Sequence, residues 1–129
     1  MKYLKIKDII AIHKQFEELY GVDGTILQPS NLEIALEIPK RRIYGNEIFI
    51  TVTEKAAALM YNLLKLHPFV DGNNRTGFTA AIMFLSQNGC TLKSRSQNEE
   101  VDICLNTSKC CISLNQLSIW FNEKSRRIL

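Results

Sequence analysis

The 129-residue sequence lacks the features that mark several large classes of protein. It has no apolar run approaching the ~20 residues needed to cross a bilayer. Its start, MKYLKIKDIIAIHKQ, lacks the apolar core and cleavage site of a signal peptide. With 16 basic and 13 acidic residues, the net charge of +3 is too small to favour a nucleic-acid or membrane surface. We therefore predict a cytoplasmic protein with no nucleic-acid and no membrane partner.

Cysteine and histidine are also scarce. Only two histidines are present, His13 and His67, which argues against a Cys/His zinc site. His13 lies close to the apolar stripe of the first predicted helix, where we expect a partly buried, hydrogen-bonded side chain rather than a ligand. No disulfide framework or C-x-x-C pair is indicated. We predict small buried thiols for the four cysteines, Cys90, Cys104, Cys110 and Cys111.

What is present is helical periodicity in an ordinary globular composition, 46% hydrophobic and 22% charged. The pattern predicts one all-α domain over residues 1–129. The fourth helix is apolar almost all round, which predicts a central helix with the last two packed around it. The expected helices cover residues 7–20, 31–38, 54–66, 74–88, 97–106 and 114–124. Capping-box signals stand at Ser30-x-x-Glu33, Thr51-x-x-Glu54, Ser96-x-x-Glu99 and Ser113-x-x-Gln116.

One stretch, RRIYGNEIFITVT at residues 41–53, departs from the helical pattern. Ile48, Phe49 and Ile50 are residues that favour strands, and Gly45-Asn46 could form a tight turn. The sequence therefore predicts a small β-excursion immediately before the third helix.

A polar segment, HPFVDGNNR at residues 67–75, separates two apolar helices. Because it ends where the fourth helix begins, the backbone amides of Gly72, Asn73 and Asn74 should lie at a helix N-terminus. Unpaired amides and the positive end of the helix dipole bind phosphate. Arg75 can donate two hydrogen bonds to phosphate oxygens. The segment therefore predicts a phosphate site.

The same segment offers a metal ligand and a base. Asp71 is a hard oxygen ligand suited to a Mg²⁺ ion that also contacts phosphate. His67 can accept a proton near neutral pH. Two other interpretations compete with this one. A Walker-type loop is excluded because Phe78 stands where the essential lysine belongs. A capped turn held together by its own polar side chains is the simpler structural alternative.

The segment resembles the H-P-F-x-[D/E]-G-N-x-R signature of the Fic/Doc family. The similarity extends to AIHKQFEELYG near the start, KAAALMYNLLKLHPF before the motif and RTGFTAAIMFLSQNG after it, which resemble the short death-on-curing toxins. The resemblance implies a single Fic-type helical domain with a small β-flap before the third helix. It also implies an enzyme that transfers a phosphate-bearing group from a nucleoside triphosphate, such as ATP, to a Ser, Thr or Tyr hydroxyl of a protein.

Carried over by position, the resemblance assigns a role to each polar residue. His67 would deprotonate the target hydroxyl, Asp71 would hold Mg²⁺, and Phe69 would anchor the loop in the core. The phosphates would be bound by Gly72, Asn73, Asn74 and Arg75. The flap residues Ile48, Phe49 and Ile50 would pair with an extended target segment, for which an ordinary connecting strand is an equal alternative.

Two departures from the family pattern leave the reaction open. AMP-transferring members carry a second arginine three residues after Arg75, where this chain has Phe78. The death-on-curing toxins have a lysine where this chain has Asn74. We expect phosphoryl transfer slightly ahead of AMP transfer, with a non-catalytic nucleotide- or partner-binding module as a third hypothesis. No glutamate is followed by Gly or Asn, so the family's self-inhibitory pattern is missing. We therefore expect a separate antitoxin, and a target such as a translation factor.

Overall fold

The computed structural model describes residues 1–128, and within them six α-helices carry the fold. The predicted class, all-α with a small β-flap before the third helix, is confirmed. In chain order the helices and strands are α1 (Ile6–Tyr20), α2 (Pro29–Glu37), a 3-10 turn (Ile38–Lys40), β1 (Arg42–Ile43), β2 (Asn46–Glu47), α3 (Val52–Leu66), α4 (Asn73–Gln87), β3 (Cys90–Leu92), α5 (Gln97–Ser108), α6 (Leu114–Lys124) and β4 (Ser125–Arg127).

Helices α3 and α4 together form the centre of the core. α3 packs against α2, α4, α5 and α6, and α1 packs on α4. The two central helices approach closely at Gly77, where an added Cβ would collide with Leu64 Cδ1. The expectation that both α5 and α6 pack around α4 was wrong for α6, which lies mainly along α3. Fully buried apolar side chains are Ile9, Leu32, Met60, Leu63, Leu64, Phe84, Leu85, Leu117 and Phe121.

Side-chain caps start three of the helices as predicted. Thr51 and Ser113 each form reciprocal capping boxes, with Glu54 and Gln116 respectively. Ser96 accepts a hydrogen bond from the Glu99 amide at 3.2 Å. The predicted cap at Ser30 was wrong, since α2 begins one residue earlier at Pro29. A proline suits the first helical position, where its missing N–H costs nothing.

The β-excursion is a two-residue hairpin placed slightly earlier than the β-forming residues suggested. Arg42 pairs with Glu47, and Ile43 with Asn46. Tyr44 and Gly45 form the turn, both with positive φ, as two-residue hairpin turns of type I′ require. The predicted turn at Gly45-Asn46 was therefore one residue late. Residues 48–50 follow β2 outside the paired strands, because the chain bends there toward the start of α3.

A buried lysine fastens the hairpin to α3. Lys55 is 1% exposed, and its Nζ donates to the Pro39 carbonyl at 3.1 Å and to Glu47 Oε1 at 3.0 Å. The hydrogen bond and positive charge of Lys55 lower the pKa of the Glu47 carboxyl below its ordinary value. The ammonium also lies 5.6 Å from the centre of the Tyr3 ring. Burial of a charged lysine is tolerated because these acceptors satisfy it.

A second strand pair, absent from the sequence prediction, joins the segment after α4 to the C-terminal segment. Cys90 pairs with Arg127 and Leu92 with Ser125. All four cysteines are free thiols, as predicted, but Cys110 and Cys111 are exposed, so their predicted burial was wrong. They lie in the turn that follows α5 rather than on a packed face. Through residue 128, no helix combines the length and apolarity that a membrane span requires.

Candidate active site

The loop between α3 and α4 begins and ends in left-handed backbone. Gly72 precedes α4 with φ 80°, a conformation that glycine adopts without strain. His67 follows α3 with φ 44° and ψ 62°, which is uncommon for a residue with a side chain. Its imidazole is exposed to solvent. Backbone strain of this kind collects at functional sites, where the surrounding structure maintains it.

The segment before α2 holds the first half of this loop through backbone hydrogen bonds. The amides of Leu27 and Gln28 both donate to the Pro68 carbonyl, at 2.8 and 3.1 Å. The Val70 amide donates to the Thr25 carbonyl at 3.1 Å. Residues 25–28 therefore form a short antiparallel bridge that fixes the path of the loop after His67.

Asn73 holds the second half through its side chain. Its Oδ1 accepts from the Phe69 amide at 3.1 Å, and its Nδ2 donates to the Phe69 carbonyl at 2.9 Å. Phe69 is 2% exposed and belongs to the core, so its predicted role as the loop's anchor is confirmed. The Asn73 side chain therefore closes the turn and is not free to bind a ligand.

Asp71 presents its carboxylate at the surface of the loop. Its Oδ1 accepts a hydrogen bond from the Gly72 amide at 2.8 Å. The Gly72 amide, expected to bind phosphate, is thus already used by Asp71. The next two amides, of Asn73 and Asn74, have no acceptor within residues 1–128, as expected for the first turn of a helix. These two are the donors that point to an anion site.

Arg75 is oriented by an aromatic ring of α1. Its guanidinium carbon lies 3.8 Å from the centre of the Tyr20 ring, a cation–π contact. Phe78, one turn further along α4, is 6% exposed and packs against Trp120 and Phe121. A residue at position 78 thus contributes mainly to the core.

These residues surround a cavity of about 690 Å³ that opens to solvent. It is lined by Tyr20, Val22, His67, Val70, Asp71, Gly72, Asn73, Asn74 and Arg75. A second cavity, of about 410 Å³, shares Tyr20, Asn74 and Arg75 with the first. The structure therefore brings every predicted base, metal and phosphate residue to one cavity.

The donor set fits a magnesium ion that binds together with phosphate. Within residues 1–128 no group of three or more His, Cys, Asp and Glu side chains could hold a metal by itself. Asp71 offers a single carboxylate, one oxygen of which is engaged by Gly72. Magnesium in nucleotide sites is bound by one or two carboxylates and completed by phosphate oxygens and waters. A dedicated all-protein site is not needed for that ion.

The flap residues lie away from this cavity. Ile48, Phe49 and Ile50 precede the N-terminus of α3, whereas His67 follows its C-terminus. The 15 residues of α3 separate the two sites by about 22 Å along the helix axis, at ~1.5 Å per residue. The target-docking role stays a prediction, and it would require about seven extended target residues to span that distance.

Sequence reasoning missed two residues of α1 that support the loop. Tyr20 stacks on Arg75, and the ring of His13 stacks on Phe69 with centroids 3.8 Å apart. Both contacts join residues more than 50 positions apart in the chain. The helical stripe placed His13 near the core, but nothing in it pointed to the loop.

Comparison with known proteins identifies the architecture. The sequence model of the Fic/DOC family matches residues 3–85, which include α1 to α4 except for the last two residues of α4, and the whole loop.

The chain belongs to the Fic/Doc family.

Among curated proteins, this Fic/Doc chain is similar to Toxin Doc of Mycolicibacterium smegmatis, with 41% identity over 61 residues. The aligned region is 47% of this chain and 47% of that protein. The chain therefore matches about half the length of this curated relative.

Proposed function

We propose that this protein is a Doc-like toxin of a toxin–antitoxin module that transfers a phosphate-bearing group from a nucleoside triphosphate to a protein hydroxyl. The proposal is based on one observation: His67, Asp71, Arg75 and the amides of Asn73 and Asn74 lie around the same cavity. Family membership supports the reaction class, and the similarity to Toxin Doc supports the toxin role. A turn held together only by its own polar groups would not need an exposed histidine.

In the proposed mechanism, a ring nitrogen of His67 accepts the proton of the target hydroxyl as its oxygen attacks phosphorus. Arg75 and the amides of Asn73 and Asn74 bind the phosphate oxygens and favour the charge that develops on them. Asp71 would hold Mg²⁺, which when bound neutralises phosphate charge. The fixed loop supplies the orientation that phosphoryl-group transfer mainly requires.

Phosphoryl transfer is the favoured reaction, with AMP transfer as the alternative. In the first, the hydroxyl oxygen bonds to the γ-phosphorus and a nucleoside diphosphate leaves. In the second, it bonds to the α-phosphorus and pyrophosphate leaves. The buried Phe78 offers no charge for a terminal phosphate, as an AMP-transferring enzyme would need. Asn74 lacks the positive charge of the lysine that the death-on-curing toxins have at this position. AMP transfer therefore stays the alternative to phosphoryl transfer.

The partners follow from the same proposal. The substrate is a protein hydroxyl, and a translation factor is a suitable target for a toxin that arrests growth. Restraint would come from a separate antitoxin, because no glutamate of the chain carries the family's self-inhibitory pattern. A small neighbouring gene encoding a DNA-binding head and an unstructured tail would support this arrangement.

A growth assay tests the toxin proposal. Induction of the wild type should arrest growth, whereas induction of His67→Ala should not, because the base is missing. Lys7→Ala, an exposed position of α1, is the matched control and should be as toxic as the wild type. Equal toxicity of His67→Ala, at equal soluble expression, would contradict the assignment of the base.

Labelled ATP separates the two reactions and the non-catalytic alternative. Transfer of label to lysate protein from the γ position alone indicates phosphorylation, and transfer from the α position indicates AMP transfer. Tight Mg²⁺-dependent nucleotide binding without transfer from either position would favour the binding module.

A further inference from the structure

The buried ring of His13 lies directly beneath the candidate metal ligand. His13 belongs to α1 and is 1% exposed. Its Nε2 lies 2.6 Å from the Asp71 carbonyl oxygen, and its Nδ1 lies 3.3 Å from Glu17 Oε1. A carbonyl oxygen only accepts, so Nε2 must carry the proton that it donates. Stacking on Phe69 at an interplanar angle of 13° fixes the plane of the ring.

The hydrogen bond acts on a single rigid peptide unit. The Asp71 carbonyl and the Gly72 amide belong to the same planar, trans peptide, so they point in opposite directions. When His13 holds the carbonyl toward α1, the amide is turned away from α1. That amide donates to the Asp71 carboxylate at 2.8 Å. The Nε2–H group of His13 therefore determines, through the Asp71–Gly72 peptide, the direction in which the Asp71 carboxylate points.

The absence of a side chain at position 72 is compatible with the same arrangement. Gly72 packs so closely on the ring that an added Cβ would lie 3.2 Å from His13 Nε2. A side chain at position 72 would therefore press on the ring, so glycine suits this position. The hydrogen bond from His13 therefore holds the Asp71–Gly72 peptide against α1, where the backbone of Gly72 passes close to the ring.

We propose that His13 is a positioning residue, whose Nε2–H holds the Asp71–Gly72 peptide so that the Asp71 carboxylate is aimed at the metal–phosphate site. The inference rests on the proposed function, because it assigns His13 a purpose in that reaction. Groups that orient a metal ligand through hydrogen bonds typically change metal affinity ~10–100-fold when removed. His13 does not contact the substrate in this proposal.

Two substitutions separate the donor from the ring. His13→Phe keeps an aromatic ring that can stack on Phe69 but removes the donor. His13→Gln loses the ring but places an N–H at a similar reach. We expect His13→Phe to raise the Mg²⁺ concentration needed for half-maximal ATP binding by about tenfold. His13→Gln should restore it to within about threefold of the wild type. The proposal is wrong if His13→Phe matches the wild type, or if His13→Gln is impaired as strongly as His13→Phe.

A measurement on the wild type keeps the test independent of the variants' folding and of the reaction. Nitrogen-15 NMR of the His13 ring should show a protonated Nε2 in the free protein. An unprotonated Nε2 would overturn the proposal even if every variant unfolds. If the wild type binds no Mg²⁺–nucleotide while Nε2 is protonated and bonded to Asp71, the proposed function fails, and with it the purpose assigned to His13.

Discussion

Replacement of Asn73 by alanine should destabilise the protein through two buried backbone groups. The substitution removes both hydrogen bonds to Phe69, at 3.1 and 2.9 Å, in a place where Phe69 is 2% exposed. An unsatisfied buried donor or acceptor costs ~1–3 kcal/mol. Water can enter near the surface of the loop, so we expect about 2–4 kcal/mol for the pair. The melting temperature should fall by roughly 10 °C.

Urea denaturation should be used to compare the free energies of unfolding of the wild type, Asn73→Ala and two further variants. Asn74→Ala is the matched control, since the Asn74 side chain makes no hydrogen bond within residues 1–128. It should change the free energy of unfolding by no more than about 0.5 kcal/mol. Asn73→Asp keeps the acceptor for the Phe69 amide but sets a carboxylate oxygen against the Phe69 carbonyl. Its destabilisation should therefore decrease at acid pH, where the protonated carboxyl can donate.

The loss of unfolding free energy in Asn73→Ala tests whether the hydrogen bonds to Phe69 stabilise the loop. A loss smaller than about 0.5 kcal/mol would refute the argument that these hydrogen bonds close the loop. A loss equal to that of Asn74→Ala would show that position in the helix, and not the bonds to Phe69, sets the effect. A destabilisation of Asn73→Asp that does not decrease at acid pH would also contradict the geometry.

Two other perturbations test the backbone of the loop and the anchor of the hairpin. Gly72→Ala forces a side chain into φ 80° and against His13. Gly89→Ala, which has nearly the same φ but open space around it, should lower the free energy of unfolding by about 1–2 kcal/mol, and Gly72→Ala should lower it further. Equal losses in urea denaturation would show that the proximity of His13 has no effect. Lys55→Met should raise the pKa of Glu47, as followed by carbon-13 NMR. Because Lys55 lowers the folded-state pKa of Glu47, its stabilisation is present above the unfolded-state pKa and is lost as the pH falls through the folded value. The variant should therefore lose less stability on acidification, and an unchanged Glu47 pKa would contradict the ion pair.

Local signals predicted most of the helices because their causes are local. Thr51 and Ser113 start α3 and α6 as expected, since a capping box depends on residues three apart. The hairpin was displaced because its turn uses Tyr44 in a left-handed conformation, which a preference for Gly-Asn turns does not foresee. The strand pair of Cys90 with Arg127 joins residues 37 positions apart, and its three-residue strands carry too weak a pattern to predict.

In the candidate site too, the features within the motif were predictable from the sequence, and the contacts between distant residues were not. His67, Asp71 and Arg75 lie within nine residues, so the motif alone placed them together, and all three line one cavity. The backbone amide of Asn73 was expected to bind phosphate, and it stays a candidate donor, but nothing in the motif indicated that the side chain bonds to Phe69. The contacts of His13 and Tyr20 depend on how α1 packs on α4. No local pattern contains that information.

In the proposed reaction, His67 removes a proton during transfer from a bound nucleotide. The most direct measurement is the rate of label transfer from ATP to lysate protein at saturating Mg²⁺–ATP, for the wild type and His67→Ala, with the nucleotide affinity of each. A general base contributes ~10²–10⁴-fold to the rate. We predict that His67→Ala transfers label at least about 100-fold more slowly while its ATP affinity changes by less than about threefold. Transfer at the wild-type rate by His67→Ala would contradict the account.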